Sequence, residues 1–340
     1  MGRGGPVHHQ PSLFEGLPEA YAPWVRLAVL RLILRFGVHK CVVTRLGIFD
    51  AEFLPALGFE SLLNQKGGPS LVSRTLGLVC RELQAMELTP PRLPRGTPLA
   101  RNLSALSRQV ALSSLEAGIL HVLVLQQKGV LLGKALELVD QKTPLRAVEI
   151  LASLLDEPVS AVFLALQPEA TLMGSGLLGP APSGSWMPWS LLPGLGEALC
   201  LGGTGAGSWF RQGFSLAPPP TLDASSFGHL EQDLKGLEAY LRWALRDGRR
   251  GANILLHGRP GTGKTELARL LARLLKRPLF EVASVGRDGG PLPGDTRVRA
   301  YRLAQAVLSR GRSGLILFDE AEGLFTGEGV SPGPGEFRIP

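Results

Sequence analysis

The chain has 340 residues, 44% of them hydrophobic and only 6% aromatic, which allows more than one globular domain with cores built mainly of Leu, Val and Ala. The formal net charge is +7, but Lys and Arg are spread along the chain, which argues against a basic stripe for nucleic acid or anionic lipid. The 3 cysteines stand far apart without a Cys-x-x-Cys pair, so the sequence indicates neither a disulfide framework nor a zinc site and favours a reducing, cytoplasmic location.

Residues 1–100 are predicted to form a helical N-terminal region. Apolar residues recur at helical spacing from Tyr21 to Phe36 and from Leu71 to Leu88, which predicts two amphipathic helices. The beginning of the chain lacks the apolar core of a secretory signal. The most apolar runs are interrupted by Arg, Gln or Lys and fall short of the roughly 20 residues that cross a bilayer, so we expect no membrane partner.

Residues 101–178 are predicted to form a helical, winged-helix-like domain. Ser113 and Glu116 have the spacing of a capping box, and Thr143 followed by Pro144 is a second helix start. A tight turn and another helix over residues 157–166 follow, then a strand-like run. That last helix contains no Lys or Arg and follows Asp156, so its charge favours a structural or protein-contact role over reading DNA.

Residues 179–220 are dense in Gly and Pro and are predicted to form a linker, or a loop that encloses a helix near residues 191–200. Beyond it, apolar residues from Phe227 to Leu245 follow a three-and-four spacing that predicts a helix ending before Gly248. Residues 221–340 are then expected to form the third domain.

The stretch "NILLHGRPGTGKTELARLLARLL" predicts a phosphate-binding loop between a buried strand and a helix. Many backbone N–H groups and a helix N-terminus can hold phosphate oxygens together, and glycines let the backbone approach them. The candidate nucleotide-binding residues match G-x-x-x-x-G-K-[ST] at every position: Gly258, Arg259, Pro260, Gly261, Thr262, Gly263, Lys264 and Thr265. In this pattern Lys264 reaches the β and γ oxygens of ATP and the Thr265 hydroxyl coordinates Mg²⁺.

A second motif, "GLILFDEAEG", predicts an apolar strand that ends in two acids. Asp319 is the candidate metal-side carboxylate, and Glu320 is the candidate catalytic residue that polarises the attacking water. An acid pair at a helix N-terminus is the alternative interpretation of the same residues. Together with the loop at residues 258–265, the pair favours a nucleotide site.

The loop and "LILFDEAE" together resemble the AAA+ ATPases over residues 226–325, and the whole chain resembles bacterial multidomain members with a helical N-terminal region. The resemblance implies that residues 258–265 are Walker A and that Asp319 and Glu320 are Walker B. It implies an α/β P-loop NTPase fold with a partial AAA+ sheet at the C-terminus, after the mainly α-helical, winged-helix-like region. In the family, ATP hydrolysis in a ring remodels a protein partner.

A complete AAA+ module, as the resemblance implies, also has a sensor residue on strand four, an arginine finger and a helical lid. Here "NILLH" is expected as strand one, "LFEVAS" as strand two and "LILF" as strand three. Strand four belongs between strands one and three, but the residues after Phe325 are turn formers. We therefore expect a fragment, frameshift product or split gene that binds nucleotide weakly and turns over little.

The sequence thus favours Mg²⁺-dependent ATP binding and hydrolysis, with ATP and Mg²⁺ as cofactors and a protein as the further partner. A non-catalytic nucleotide-binding adaptor, or a regulator that binds DNA or protein, is the second hypothesis. A small-molecule P-loop kinase is the third. An ABC-type ATPase would need a signature Ser-Gly-Gly segment, which the residues before the acid pair do not contain.

Overall fold

A computed structural model describes residues 17–39, 53, 57–59, 69–139, 143–182, 185, 187–201, 213–249, 251–286, 289–310 and 314–321. The chain divides into two compact units. The first unit comprises residues 1–172, 180–191 and 196–202, and the second comprises residues 173–179, 192–195 and 203–340. The prediction for the residues after Phe325 falls outside the described part of the chain.

The described part of the chain before residue 202 is mainly helical. Its helices are α1 Ala22–Arg35, α2 Pro69–Leu88, α3 Pro98–Val110, α4 Ser114–Lys128, α5 Val130–Glu137, α6 Pro144–Leu155, α7 Val159–Ala165, α8 Thr171–Gly174 and α9 Leu195–Cys200. Two short strands, β1 Leu178–Pro180 and β2 Trp189–Leu191, form a two-stranded sheet between α8 and α9. The two helices predicted from spacing in the first 100 residues are confirmed to within two residues at each end.

Both predicted helix starts in the first unit are confirmed. The Ser113 side chain accepts a hydrogen bond from the Glu116 N–H, and the Glu116 carboxylate accepts one from the Ser113 N–H, so the capping box at α4 is complete. Thr143 caps α6 by accepting from the Arg146 N–H at 3.1 Å. Local polar chemistry therefore fixes where these helices begin.

The core of the first unit is built around α1, which contacts α2, α5 and α6. Three polar side chains lie buried beside it: the Tyr21 hydroxyl is 2.8 Å from both Thr97 Oγ1 and His121 Nε2. Burial raises the pKa of Tyr21 to about 12 and lowers the pKa of His121 to about 4. This polar cluster is neutral near pH 7, and its hydrogen bonds compensate the desolvation of its members.

The predicted helix, tight turn and second helix are present as α6, the turn at Asp156 and α7, but the short helix α8 separates α7 from the strand β1. The turn residue Asp156 has a φ of 59°, and the Glu157 N–H returns to the Ala152 carbonyl, which ends α6. Assignment of this region as a winged helix stays a prediction. Residues 179–220, predicted as a linker or as a loop that encloses a helix near residues 191–200, contain that helix as α9, together with β2, β3 and part of β1. Leu192, Leu195 and Leu199 are buried there despite the surrounding glycines and prolines.

The second unit contains a small mixed sheet with helices. Its elements are β3 Phe214–Leu216, α10 Glu231–Arg246, α11 Lys264–Leu274, β4 Leu279–Val282, α12 Gly294–Leu308 and β5 Leu315–Leu317. The strand order is β3-β4-β5. β4 and β5 are parallel, with Leu279 opposite Leu315, whereas β3 is antiparallel to β4. The predicted strands two and three are therefore neighbours, and β3 covers the other edge of β4.

The prediction of a strand at residues 253–257 was wrong. This segment carries no strand assignment, and among the described residues no strand pairs with it. Ile254 and Leu256 still pack against the core, while Leu255 between them is 79% exposed. Packed and exposed side chains alternate in this segment as they do in a strand. A strand also needs a neighbouring strand whose backbone forms hydrogen bonds with its own.

The helix predicted from Phe227 to Leu245 is only partly correct. Residues 224–230 form a 3-10 helix, in which Phe227 has non-helical angles, and α10 begins at Glu231. The Asp223 carboxylate accepts hydrogen bonds from the N–H groups of Ser225 and Ser226, which fixes this tighter start. Phe227 consequently turns inward and is 3% exposed.

Helix α11 is held in place by apolar packing and by a chain of charges. The buried residues of the cluster between α10 and α11 are Phe227, Leu234, Leu241, Leu267, Leu270, Leu271 and Leu275. Arg269 on α11 donates to Glu281 of β4 at 2.8 Å and to Glu266 at 2.7 Å. These contacts fix the helix that follows the glycine-rich loop against the sheet.

No single described helix is long and apolar enough to cross a membrane. Helices α4 and α5 together have the length and hydropathy of a membrane span, but the angle between them at their junction is 95°.

Candidate nucleotide-binding site

The glycine-rich loop at residues 258–265 joins the extended segment 253–257 to α11. Gly258, Gly261 and Gly263 have φ angles of 151°, 79° and 85°, which residues with a Cβ rarely adopt. A Cβ at Gly261 would meet no atom within 4 Å, so glycine is needed there for its φ angle and not for space. The sequence places glycine where the loop must turn, and the loop is shaped to approach an anion closely.

Two polar side chains of the loop, Thr262 and Lys264, bind carbonyl groups of the loop itself. The Lys264 ammonium donates to the carbonyls of Gly258 and Arg259 at 3.0 and 3.1 Å, and the Thr262 hydroxyl donates to the Arg259 carbonyl at 2.9 Å. Arg259, Pro260, Gly261 and Thr262 are all exposed. Lys264 therefore lies over the loop as a positive charge at the N-terminus of α11, where the helix dipole also favours an anion.

The structure brings Thr265 of the loop and Asp319 of the predicted acid pair together. The Thr265 hydroxyl donates to Asp319 Oδ2 at 2.6 Å, although 54 positions separate the two residues in the chain. Asp319 lies two residues after the end of β5 and is half-buried, and its Oδ1 accepts the Glu320 N–H at 3.0 Å. β4 follows α11 in the chain and runs parallel to β5, and the Thr265–Asp319 hydrogen bond places the start of α11 beside the residues that follow β5.

Glu320 lies beside this contact with its side chain exposed. Its backbone has a φ of 51°, the left-handed region that residues other than glycine seldom occupy. Within the described residues its carboxylate has no hydrogen-bond partner. The predicted catalytic carboxylate is thus accessible, next to the hydroxyl and carboxylate predicted to hold Mg²⁺.

Glu266, which the sequence did not single out, fixes the first turn of α11. Its carboxylate accepts from the Thr221 N–H at 2.6 Å, from the Thr221 hydroxyl at 2.9 Å and from the Leu222 N–H at 3.3 Å. These hydrogen bonds, the Thr221 N–H first, together with that from Arg269, lower the pKa of Glu266 to about 2. Glu266 remains ionised near neutral pH and holds the segment before α10 against the helix that carries Lys264 and Thr265.

Comparison with known proteins identifies the segment that contains both motifs. Residues 254–336 match the family model described as ATPase family associated with various cellular activities (AAA). The matched AAA segment is about a quarter of the chain and includes the loop at 258–265, Asp319 and Glu320. It indicates a P-loop NTPase fold and an activity in ATP binding and hydrolysis. No curated protein and no solved structure matches the chain.

Arg297 of α12, like Glu266, lies in the matched segment and was not identified from the sequence. It is 4% exposed, and its guanidinium donates to the backbone carbonyls of both Asp319 and Glu320. The available signal was its position on the same helix face as Ala300 and Ala304, both buried. An arginine on an apolar face needs polar partners, but helical spacing alone does not say which ones.

Proposed function

We propose that the second unit binds Mg–ATP at the loop of residues 258–265 and hydrolyses it with Glu320 as the residue that polarises water. The observation that carries this proposal is the 2.6 Å contact between Thr265 and Asp319, which joins the loop and the acid pair into one site. The match of residues 254–336 to the AAA family supports the same activity. A glycine-rich turn and an acid pair with separate roles would not need to lie within hydrogen-bond distance of each other.

Each residue has a separate task in this proposal. The loop N–H groups and the start of α11 bind the phosphates, and Lys264 exchanges its two carbonyl acceptors for phosphate oxygens. Glu320 is exposed and accepts the proton of the attacking water or orients that water. Asp319 holds the Thr265 hydroxyl in place and receives the Glu320 N–H, which links the metal side of the site to the catalytic side.

The side chains at the end of the loop fit Mg²⁺ by their chemistry. A threonine hydroxyl and a carboxylate supply the hard oxygen ligands that this ion prefers, and they are already adjacent. Thr265 would bind the ion, and Asp319 would hold it directly or through its water shell. The ion would neutralise charge on the phosphates during hydrolysis.

Isothermal titration calorimetry of ATP in the presence of Mg²⁺ tests the proposal. Loss of a charge-assisted hydrogen bond costs about 1.5–3 kcal/mol, so Lys264→Ala is expected to weaken ATP binding about 10- to 100-fold. Lys235→Ala is the matched control, since it removes the same charge from an exposed Lys235–Glu231 pair on α10. Unchanged affinity in Lys264→Ala would refute the proposed site.

The fate of the γ-phosphate separates hydrolysis from kinase activity. With labelled ATP, the proposal expects label to appear as inorganic phosphate when only water is the acceptor. Label transferred to a small-molecule acceptor would favour a P-loop kinase instead. The AAA+ resemblance extends the proposal to ring assembly and remodelling of a protein partner in the cytoplasm.

A protein-binding role for the first unit is a second candidate. Helix α7 exposes Val159, Phe163 and Leu164, whose exposed fractions are 43%, 50% and 65%. Asp156 and Glu157 precede it, and residues 156–170 contain no Lys or Arg. This surface suits a protein rather than phosphates. Fluorescence anisotropy of duplex DNA with the full chain should stay flat at low salt, and salt-dependent binding would contradict this role.

A further inference from the structure

The acid pair is held from behind by a buried arginine of α12. Arg297 Nη1 donates to the Glu320 carbonyl at 3.0 Å, and Nη2 donates to the Asp319 carbonyl. The guanidinium also lies over the ring of Phe318, with Cζ 4.4 Å from the ring centroid. Arg297 therefore contacts three successive residues at the end of β5 without contacting the acidic side chains themselves.

The two carbonyls that Arg297 binds define the backbone conformation of Glu320. The Asp319 carbonyl belongs to the peptide plane before Glu320, and the Glu320 carbonyl belongs to the plane after it. Their relative orientation is set by φ and ψ of Glu320 alone, because each plane is rigid. A planar guanidinium that donates to both carbonyls at once restricts both angles.

Glu320 needs such support because its φ of 51° is unfavourable for a residue with a Cβ. The left-handed region costs about 1–2 kcal/mol for such residues. In a relaxed backbone the Glu320 side chain would leave the Cα–Cβ direction it has now, and the Glu320 N–H would turn away from Asp319 Oδ1. The strain lies at the residue proposed to act on water, next to the residue proposed to hold Mg²⁺.

Packing alone does not require an arginine at this position. Among the residues that the structure describes, Arg297 Nε is buried without a hydrogen-bond partner and no carboxylate forms an ion pair with its guanidinium. An apolar side chain of similar length would fill the same space at lower desolvation cost. The specific property of Arg297 is the fork that spans two carbonyls.

We propose that Arg297 is a positioning residue that sets the backbone of Asp319 and Glu320, and thereby the Mg²⁺-dependent part of ATP binding and the rate of hydrolysis. This inference rests on the function proposed for the loop and the acid pair. Arg297 donates hydrogen bonds to the backbone of the acid pair. The contacts of Thr262 and Lys264 within the loop do not involve Arg297, so we expect them to persist when Arg297 is replaced.

Calorimetric ATP affinities in Mg²⁺ and in EDTA test the inference. Residues that orient metal ligands typically contribute about 10- to 100-fold to metal affinity or activity. Arg297→Met is therefore expected to weaken ATP binding in Mg²⁺ about tenfold or more and to lower kcat, while the affinity in EDTA stays unchanged. Arg302→Met is the matched control, because Arg302 is exposed on the same helix.

Arg297→Lys keeps the positive charge but cannot bridge two carbonyls in one plane. It is expected to change the Mg²⁺-dependent affinity in the same direction as Arg297→Met, and it carries the test if circular dichroism shows that Arg297→Met does not fold. Full Mg²⁺-dependent affinity in folded Arg297→Met or Arg297→Lys would overturn the inference. Equal weakening in Mg²⁺ and EDTA would also overturn it, because that result indicates general damage to the loop.

Lys264→Ala, measured in parallel, distinguishes a failure of the role of Arg297 from a failure of the proposed function. If Lys264→Ala weakens ATP binding and the Arg297 variants do not, the proposed site stands and the role of Arg297 fails. If neither substitution changes ATP affinity, the proposed function fails together with the inference.

Discussion

Two adjacent carboxylates, Asp319 and Glu320, have different surroundings and therefore different proposed tasks. Asp319 is half-buried and accepts hydrogen bonds at both oxygens, from Thr265 and from the Glu320 N–H. Glu320 is exposed and remains able to accept a proton from water. The backbone turns at Glu320, whose φ is 51°, between the half-buried and the exposed carboxylate.

Removing the carboxylate of Glu320 should affect turnover and not binding. Glu320→Gln keeps the size and polarity of the side chain but cannot accept a proton, so kcat is expected to fall about 100-fold or more. The affinity for Mg–ATP should stay within about twofold, because the loop and Thr265 are unchanged. Phosphate release and calorimetry measure the two effects, with Glu231→Gln on the exposed face of α10 as control. Equal turnover in Glu320→Gln and the control would reject Glu320 as the catalytic residue.

A buried histidine should make the stability of the first unit depend on pH. Burial lowers the pKa of His121 from 6.5 to about 4, so between these values the unfolded chain binds more protons than the folded one. The stabilisation is fully present above pH 6.5 and is lost as pH falls towards 4. The expected decrease in unfolding free energy is up to about 3 kcal/mol.

Urea unfolding followed by circular dichroism between pH 7.5 and pH 4 measures this dependence. His121→Gln removes the titrating group, so the free energy of unfolding of the variant should fall less over the same interval. The difference between the two proteins isolates His121 from other titrating groups. Parallel curves for the two proteins would show that His121 does not cause the loss.

At the scale of elements, α12 connects several parts of the second unit. Arg297 on α12 donates to the end of β5, and Arg299 donates to the carbonyls of Gly176 and Leu177 at 3.3 Å. Burial lowers the pKa of Arg299 to about 10, so it stays charged near neutral pH. The segment 173–179 approaches α12 so closely that glycine is required at its contact.

Two glycine substitutions in the second unit should have opposite effects on stability. Gly176 has a φ of 77°, and a Cβ there would lie 2.2 Å from the Arg299 carbonyl oxygen. Gly176→Ala is therefore expected to destabilise the unit by about 2 kcal/mol or more. Gly236 lies on an exposed face of α10, and a Cβ there meets no atom within 4 Å.

Gly236→Ala is expected to stabilise the same unit by about 0.5–1 kcal/mol, because alanine favours a helix interior. Urea unfolding of both variants against the parent chain checks the pair. Gly176→Ala with unchanged stability would show that the close contact with α12 is not present in solution.

Sequence patterns predicted the elements that rest on local chemistry. The caps at Ser113 and Thr143, and the strands β4 and β5, follow from residues near each other in the chain. The strand at residues 253–257 was wrong, since a strand needs a partner that its own residues do not supply. The short strand β3 was missed for the same reason, because it exists through its pairing with β4.

In the candidate site too, the residues predicted from the sequence are those whose pattern is local, and the residues missed are those with distant partners. The residues of the loop and the acid pair were identified from spacing, because the glycines, Lys264 and Thr265 are contiguous and Asp319 ends an apolar run. Glu266 and Arg297 were not identified, because their partners are distant in the chain and are mostly backbone groups. Backbone carbonyl and N–H groups occur along the whole chain, so the sequence does not show which of them a side chain will bind.

The whole molecule consists of a helical unit and a unit with a small sheet and the proposed nucleotide site. The AAA match lies within the second unit and supports ATP binding and hydrolysis there. The first unit contributes exposed apolar residues on α7 and a buried polar cluster around His121. Its proposed partner is a protein, so the chain would couple a nucleotide site to protein binding.

The central claim is that the glycine-rich loop and the acid after β5 form one Mg–ATP site. A double-mutant cycle of Thr265→Ala and Asp319→Asn, measured as calorimetric ATP affinity in Mg²⁺, tests it most directly. Each single substitution is expected to weaken binding, and the double variant is expected to be little weaker than either, with a coupling energy of about 1 kcal/mol or more. Effects that add within about 0.5 kcal/mol, or no effect of either substitution, would contradict it.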